Sequence, residues 1–279
     1  MQEHTRTIAY LGPPGTWSEL AALAFDGEGA TLLPLVSTSA VVSAVETGLA
    51  DTGVLPIENS LEGAVGTTLD LLIHETDLQI VAEVVVPIRH MLLVNPGTTL
   101  GDIRVLRSHP QSLGQCRRFI ERVLPNASTA ASLSNSAAVE ELLGQAHMAA
   151  ISTPRAAELY GMTVLARDIQ DKTANATRFV VLASEDSAPT GHDKTSIAFS
   201  VPQNAPGSLV GVLHEFATRT INMAKLESRP ARDRLGQYIF LCDLEGHRDD
   251  EQIADALRCV RTKTDWLKVF GSYPAWKHE

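Results

Sequence analysis

The sequence predicts an α/β protein with a two-lobed first region and a smaller second region of ferredoxin-like βαββαβ order. Up to residue 183, short apolar runs alternate with helical patterns. A polar stretch containing proline and glycine, residues 184–194, then interrupts this alternation. The segments after it follow the order βαββαβ within about eighty residues. We therefore expect one domain over 1–188, a linker over 189–193 and a second domain over 194–279.

Six apolar runs of the first region are predicted to be strands, because each is short and is bounded by turn-forming residues. They cover residues 7–11, 52–56, 80–87, 91–94, 149–152 and 179–183. The runs at 91–94 and 149–152 lie between the early runs and the last run at 179–183. This arrangement predicts two lobes, the second near 88–165, with a cleft between them.

Four helices of the first region are predicted to begin at residues with capping side chains, at 16–19, 59–62, 108–110 and 153–154. The first two have capping-box spacing, and the last two carry a proline near the first helical position. One interpretation is that these residues only cap helices, which contributes about 1 kcal/mol each. The other is that several helix N-termini converge on one cleft and bind carboxylates through their free N–H groups.

The second region is predicted to contain strands at 195–201, 223–227, 237–244 and 266–270 and helices at 207–220 and 251–262. Each helix has apolar residues at helical spacing on one face. They are Leu209, Val212, Leu213 and Phe216 in the first helix and Ile253, Ala256, Leu257 and Val260 in the second. Because so small a sheet often pairs with a copy of itself, a homo-oligomer is expected.

Composition narrows the class of protein. The 279 residues are 44% hydrophobic and 20% charged, as in globular proteins, and the net charge is −10. No basic stripe for nucleic acid is visible, and Glu83 and Arg89 interrupt the longest apolar stretches, so a membrane span is not expected. The N-terminus has no signal-peptide pattern. A cytoplasmic enzyme fits these observations best.

Cofactor and metal sites are not expected either. The cysteines Cys116, Cys242 and Cys259 are odd in number and far apart, which matches neither a disulfide framework nor a zinc site. The nine histidines have no ligand spacing. The glycines and prolines at 12–15 match neither nucleotide-binding fingerprint, so neither ATP nor NAD is predicted.

The most informative segment is KTANATRFVV, residues 172–181. Asn175, Thr177 and Arg178 precede an apolar run that is predicted to be a buried strand. Polar side chains at the end of such a strand often form a ligand site in α/β proteins. The alternative is a solvated loop leading into the strand.

Six segments in order along the chain together resemble the prephenate dehydratases with a C-terminal ACT domain. They are YLGPPGTWSELAA (10–22), LPIENSLEGAVGTTLDLL (55–72), RSHPQSLGQC (107–116), NATRFVVL (175–182), LESRP (226–230) and LKVFGSYP (267–274). The resemblance implies a catalytic domain with the two-lobed architecture of periplasmic binding proteins. It also implies that prephenate loses CO2 and water to give phenylpyruvate, the committed step toward phenylalanine, without a cofactor.

The resemblance assigns the catalytic role to Thr177 of the Thr-Arg-Phe motif. The supporting polar residues fall on Glu58, Asn59, Ser108 and Gln115. A hydroxyl is a weak acid, so we expect Thr177 to donate a hydrogen bond to the departing oxygen or to act through a network with Glu58. Gln115 lies seven residues after Ser108, and two helical turns would place both on one wall.

The predicted substrate contacts are Arg178, Thr16, Ser60 and Phe179. Arg178 either clamps a substrate carboxylate through its planar fork or pairs with a structural carboxylate. His109 is either a general acid or a structural residue at a helix entry.

For the second domain, the resemblance implies an L-phenylalanine effector site at an interface between subunits of a homodimer or homotetramer. Its predicted residues are Asn204, Gly207, Ser208, Leu209, Val210, Asn222, Met223, Leu226, Glu227 and Ser228. The family motif usually reads Gly-Ala-Leu, whereas this chain has Gly-Ser-Leu at 207–209. The sign and strength of the effect are therefore open. Two other functions are considered, arogenate dehydratase and a non-catalytic amino-acid sensor.

Overall fold

A computed structural model of the protein describes residues 5–26, 29–202, 206–231 and 236–276. Contacts within the chain divide it into two compact units. The first comprises Met1–Val65 and Val84–Phe179, and the second comprises Gly66–Glu83 and Val180–Glu279. None of the helices in the described ranges has both the length and the apolar character needed to cross a bilayer.

The strands, in chain order, are β1 (Thr7–Leu11), β2 (Thr31–Leu35), β3 (Thr52–Asn59), β4 (Gly63–Ala64), β5 (Gln79–Pro87), β6 (Met91–Val94), β7 (Val105–Ser108), β8 (Ser128–Ala131), β9 (Met148–Ser152), β10 (Thr163–Ala166), β11 (Ala176–Ala183), β12 (Asp193–Ser200), β13 (Met223–Pro230), β14 (Tyr238–Glu245) and β15 (Trp266–Pro274). The α-helices are α1 (Trp17–Asp26), α2 (Thr38–Glu46), α3 (Gly66–His74), α4 (Pro110–Gln115), α5 (Arg117–Val123), α6 (Asn135–Glu140), α7 (Pro154–Leu159), α8 (Ser208–Ala217) and α9 (Glu251–Arg261).

The first sheet has the strand order β2-β1-β3-β11-β5, with β4 paired to β3. β1 runs parallel to both β2 and β3. The central strands of this sheet are buried, and their apolar residues, such as Ile8, Tyr10 and Leu55, have almost no exposed surface. Because β3 and β11 are neighbours in this sheet, the last residues of β3 lie beside the first residues of β11, although they are far apart in the sequence.

The second sheet has the order β10-β6-β9-β7-β8, and its strands lie between Met91 and Ala166. Alternate residues of β6 enter different cores: Leu92 and Val94 pack in one cluster, and Met91 and Leu93 in another. Burial on both faces explains why this strand is a continuous apolar run in the sequence.

The third sheet has the order β13-β14-β12-β15, and every adjacent pair is antiparallel. The predicted apolar faces of α8 and α9 pack on it, with Val212, Phe216, Ile253 and Val260 in one core. The prediction of a βαββαβ unit is confirmed.

All six predicted strands of the first region are present, but β2, β4, β7, β8 and β10 were not predicted. β2 and β8 are edge strands: Pro34 interrupts the leucines of β2, and β8 has the sequence STAA, which is not an apolar run. The helix predicted to begin at Asn59 is wrong, because β3 continues to Asn59 and α3 begins at Gly66. Asn59 Oδ1 instead accepts from the N–H groups of Leu61 and Glu62 in a turn, a bond pattern that resembles a helix cap.

The other three helix starts agree with the prediction. α1 begins directly after Thr16, and His109 and Thr153 are the N-caps of α4 and α7, each followed by proline. The capping-box partner of Thr16 differs in one respect. The Glu19 carboxylate accepts from the N–H of Gly15, not from that of Thr16.

Candidate active site

Two neighbouring strands bring the predicted catalytic residues together. Asn59 at the end of β3 donates from Nδ2 to Thr177 Oγ1 on β11, at 2.9 Å. The preceding residue, Glu58, accepts from Nη2 of Arg178 at 2.9 Å. Because successive side chains of a strand point to opposite faces, Asn59 and Thr177 share one face and Glu58 and Arg178 share the other. A direct relay between Glu58 and Thr177 does not fit this alternation.

Asn59 is the hub of the cluster on the first face. Its side chain is buried, and its Oδ1 accepts from the main-chain N–H groups of Leu61 at 2.9 Å and Glu62 at 3.1 Å. Its Nδ2 then faces Thr177 Oγ1 and Asn175 Oδ1, the latter at 3.0 Å. Because the Thr177 oxygen accepts a hydrogen bond, the hydroxyl hydrogen is left to donate elsewhere.

Gln115, the last residue of α4, which follows β7 of the second sheet, joins this cluster. Its Oε1 accepts from Nδ2 of Asn175 at 3.1 Å, and its Nε2 donates to Oε1 of Glu62 at 3.4 Å. The end of α4 thus meets the ends of β3 and β11 in one network. The network is entirely polar and reaches Thr177 through Asn175 and Asn59.

A cavity of about 420 Å³ lies beside this network, a size suited to a small organic ligand. Its wall includes the carboxylates of Glu62 and Asp171 and the amine of Lys172. The lining residues are Leu61, Glu62, Gln111, Gly114, Gln115, Gln170, Asp171, Lys172 and Asn175. Neither Thr177 nor Asn59 is among them. Thr177 is connected to the wall through Asn59, which bonds to the lining residue Asn175.

Arg178 has a structural carboxylate as its partner. Nε and Nη2 both contact Oε2 of Glu58, at 3.2 and 2.9 Å. The Arg178 side chain is only 13% exposed and that of Glu58 is 36% exposed. Of the two predicted roles for Arg178, this geometry favours the pairing with a protein carboxylate, which a substrate carboxylate would have to share.

Ser108 lies on a strand and not on the predicted helix, and its catalytic role stays a prediction. It is the last residue of β7, fully buried, and its hydroxyl donates to the carbonyl of Ile151 at 2.7 Å. Since α4 begins only at Pro110, the argument that two helical turns place Ser108 and Gln115 on one wall is wrong.

The remaining predicted substrate residues have protein partners. Thr16 Oγ1 donates to the Leu11 carbonyl at 3.3 Å. Ser60 Oγ donates to the Ala174 carbonyl at 3.2 Å and accepts from Ala176 N–H at 3.0 Å. Phe179 is 1% exposed and belongs to the core. His109 accepts from the N–H of Gln111 through Nδ1, as a structural helix cap would. The roles of Thr16, Ser60 and Phe179 toward substrate stay predictions.

The structure adds His90, which the sequence analysis missed, to the network. Its Nε2 lies 3.0 Å from Oε1 of Gln115, and its ring meets the Trp17 ring edge-on with centroids 6.0 Å apart. A single histidine before a strand carries no sequence signal for such a contact. Burial lowers the pKa of His90 below 6.5, although its bond to Gln115 acts in the opposite direction.

The lowered pKa of His90 predicts a pH dependence of stability. Well above pH 6.5 the imidazole is neutral in both the folded and the unfolded chain. As the pH falls below 6.5, the unfolded chain takes up a proton that the folded chain resists, so the free energy of unfolding decreases. Urea denaturation between about pH 8 and pH 5 should show a steeper loss of stability for the unmodified protein than for His90→Gln. Equal slopes would contradict the prediction.

In the second compact unit, the predicted effector residues line two different cavities. Gly207, Ser208, Leu209 and Val210 line one of about 520 Å³. Asn222 lines another of about 710 Å³ and donates to Glu245 Oε1 at 2.7 Å. Gly207 has a φ of 86°, which favours glycine, at the start of α8.

The other effector segment lies on an edge strand. Met223, Leu226, Glu227 and Ser228 are part of β13, whose residues are alternately exposed and half-buried. The Glu227 carboxylate lies 3.2 Å from Nζ of Lys225. Asn204 lies outside the described residues.

Comparison with known proteins identifies relatives of the whole chain. A family model described as prephenate dehydratase matches residues 8–187, and one described as ACT domain matches residues 195–258. A bifunctional chorismate mutase/prephenate dehydratase of Aquifex aeolicus is 41% identical over 96% of this chain and 73% of that protein.

Two solved structures are similar along almost their full length. The prephenate dehydratase of Arthrobacter aurescens in complex with L-Phe has a TM-score of 0.89 and 36% identity, covering 96% of this chain and 90% of the other. GqqA, described as a novel type of quorum quenching acylase, has a TM-score of 0.87 and 33% identity, covering 97% and 98%.

Proposed function

This chain belongs to the prephenate dehydratase family and carries an ACT domain, and we propose that Thr177 and its hydrogen-bonded partners catalyse the conversion of prephenate to phenylpyruvate. The observation that carries the assignment of Thr177 is the bond that its oxygen accepts from Asn59. That bond holds the side chain and directs the hydroxyl hydrogen away from the amide.

The proposed reaction balances without an oxidant or a group carrier, so we propose no cofactor. The bond from the ring to its carboxylate breaks and releases CO2. The electron pair moves into the ring, and the bond to the ring hydroxyl breaks with its electrons on oxygen. The departing hydroxide takes one proton and leaves as water. Because the product ring is aromatic, the equilibrium favours it.

Negative charge grows on the departing oxygen, and a donor aimed at it gains strength in the transition state. We propose that the Thr177 hydroxyl is this donor. Glu62 and Lys172 on the cavity wall are ionisable groups and fit the roles of proton carrier and carboxylate contact, respectively. Glu58 acts in this scheme by holding Arg178.

The assay is ultraviolet detection of phenylpyruvate after the full-length protein is incubated with prephenate. Arogenate in a parallel reaction tests the amino analogue, and an acylase assay tests the activity described for GqqA. We expect turnover of prephenate. A folded protein that forms no phenylpyruvate would overturn the proposal, and it would leave the amino-acid sensor as the alternative.

We further propose that L-phenylalanine binds the ACT domain and changes the rate. This is supported by the family model and by the relative solved with L-Phe. The residues at 207–210 and Asn222 line separate cavities of one chain. We propose that a second copy brings the two segments to one ligand, with a homodimer as the minimum assembly. Mass measurement in solution distinguishes it from a homotetramer.

We expect Gly207→Ala to weaken the L-phenylalanine response. A Cβ at this φ of 86° strains the backbone that is proposed to approach the ligand. Allosteric effectors typically change an affinity or a rate by about 5- to 150-fold. In Gly207→Ala the ratio of rates with and without L-phenylalanine should move toward one. Gly144→Ala is a matched control, since its φ is 71° and it too has open space around it. Equal ratios in both variants would refute the site.

The linear domain boundaries stay a proposal, with a catalytic domain over 1–188 and a regulatory domain over 194–279. They are supported by the extents of the two family models. Cytoplasmic location likewise stays a prediction from the sequence.

A further inference from the structure

His90 is a buried histidine at the far end of the network that leads to Thr177. Its side chain is 1% exposed and sits directly before β6. Nε2 faces Oε1 of Gln115, and Nδ1 has no hydrogen-bond partner among the described residues. The His90 main-chain N–H donates to Gln170 Oε1 at 2.9 Å, so the residue is held on the backbone side as well.

The direction of every hydrogen bond in the network follows from main-chain groups, whose donors and acceptors are fixed. Two N–H groups, of Leu61 and Glu62, point at one end of the Asn59 amide, so that end is Oδ1. The other end is Nδ2, and it also faces the carbonyl oxygen of Ala176 at 3.3 Å. An amide nitrogen only donates. The Asn175 atom that faces Asn59 is therefore its oxygen.

The same logic continues to His90. If Oδ1 of Asn175 faces Asn59, then Nδ2 of Asn175 faces Gln115 and needs an acceptor, which is Oε1. That same Oε1 lies 3.0 Å from Nε2 of His90. Two lone-pair atoms would repel each other at this distance, so Nε2 carries the hydrogen and donates. A neutral ring then has a bare Nδ1, which agrees with the absence of a partner there among the described residues.

We propose that His90 is a positioning residue for the dehydration, and that its Nε2–H fixes the orientation of Gln115 and, through Asn175 and Asn59, the direction of the Thr177 hydroxyl. The kinetic part of this inference rests on the proposed function. At the other end of the chain, the Thr177 oxygen accepts from Asn59, and its hydrogen is the donor left for substrate. Loss of the histidine donor removes the bond that holds the Gln115 oxygen toward Asn175.

Five variants of the full-length chain test the kinetic consequence. His90→Leu removes the donor, and we expect kcat for prephenate to fall about tenfold with KM changed by less than about twofold. His90→Gln offers an amide N–H near the position of Nε2 and should recover most of the rate. His90→Leu combined with Gln115→Ala should be no slower than Gln115→Ala alone, because His90 acts through Gln115. His74→Leu, which replaces an exposed histidine of α3, is the control and should keep the unmodified rate.

The tautomer gives a readout that does not depend on activity. Long-range proton–nitrogen NMR correlations of the histidine rings, assigned by loss of one ring in His90→Gln, should show His90 neutral with hydrogen on Nε2 at neutral pH. Hydrogen on Nδ1 would overturn the inferred bond directions, whether or not the protein turns over prephenate. Unchanged kcat in His90→Leu, or rate losses that multiply in the double variant, would overturn the positioning role. If His90→Leu does not fold, His90→Gln decides the question. A folded His90→Gln protein whose kcat differs from the unmodified value by more than about threefold would count against the positioning role.

Discussion

Replacing Thr177 with alanine should lower kcat for prephenate by about a hundredfold or more and change KM much less. Removal of a single donor aimed at a developing oxyanion typically costs about 10²–10³ in rate. The hydrogen bond from Thr177 is strongest in the transition state, when the hydroxyl oxygen of the substrate leaves the ring with its electrons. The loss of this bond therefore lowers kcat. Steady-state kinetics with ultraviolet detection of phenylpyruvate measures both constants.

Thr177→Ser is the matched control, because it keeps the hydroxyl and removes only the methyl group. It should retain a large part of the activity if the bond from Asn59 still orients the oxygen. A folded Thr177→Ala protein with nearly normal turnover would remove Thr177 from the mechanism. Equal, large losses in both variants would indicate that packing of the methyl group, and not the hydroxyl, is what matters.

The second large effect is expected from Asn59→Asp, with a fall in kcat of about a hundredfold. The substitution keeps an oxygen for the N–H groups of Leu61 and Glu62, so the turn after β3 is retained. It replaces the donor that faces Thr177 and Asn175 with a second carboxylate oxygen. The Thr177 hydroxyl then donates to this carboxylate and is no longer free to donate to substrate.

Two comparisons separate this effect from a general loss of stability. Asn59→Ala should lose the turn as well and be less stable by about 2 kcal/mol, since it removes a buried side chain that accepts from the N–H groups of Leu61 and Glu62. Asn95→Asp replaces an amide whose Nδ2 donates to the carbonyls of Leu142 and Gln145, away from the cluster. It should reduce stability in urea denaturation without reducing kcat. Normal turnover by Asn59→Asp would mean that the direction of the Thr177 hydroxyl is unimportant.

Much of the fold was predictable because its signals are local. Buried strands such as β6 are apolar runs bounded by turn residues, and α8 and α9 carry apolar residues at helical spacing that pack in one core. The prediction of secondary structure failed at residues 59–62. There, an asparagine followed by a glutamate predicted a helix start, whereas the same side chain caps a turn after a strand. A capping pattern defines a local bond to the backbone, and a helix is only one of the structures that accommodate it.

The sequence alone determined the buried strands of the first region, the βαββαβ second region and the family, because periodicity, turn residues and long ordered motifs are properties of the chain itself. Tertiary structure decided which of these residues touch. The bond between Asn59 and Asn175 spans 116 residues and exists because β3 and β11 are neighbours in the sheet. The strand alternation that places Arg178 against Glu58, and Thr177 against Asn59, follows from that pairing. The link from His90 to Gln115 has the same origin, since long-range packing, and no local pattern, brings a residue that precedes a strand against the end of a helix.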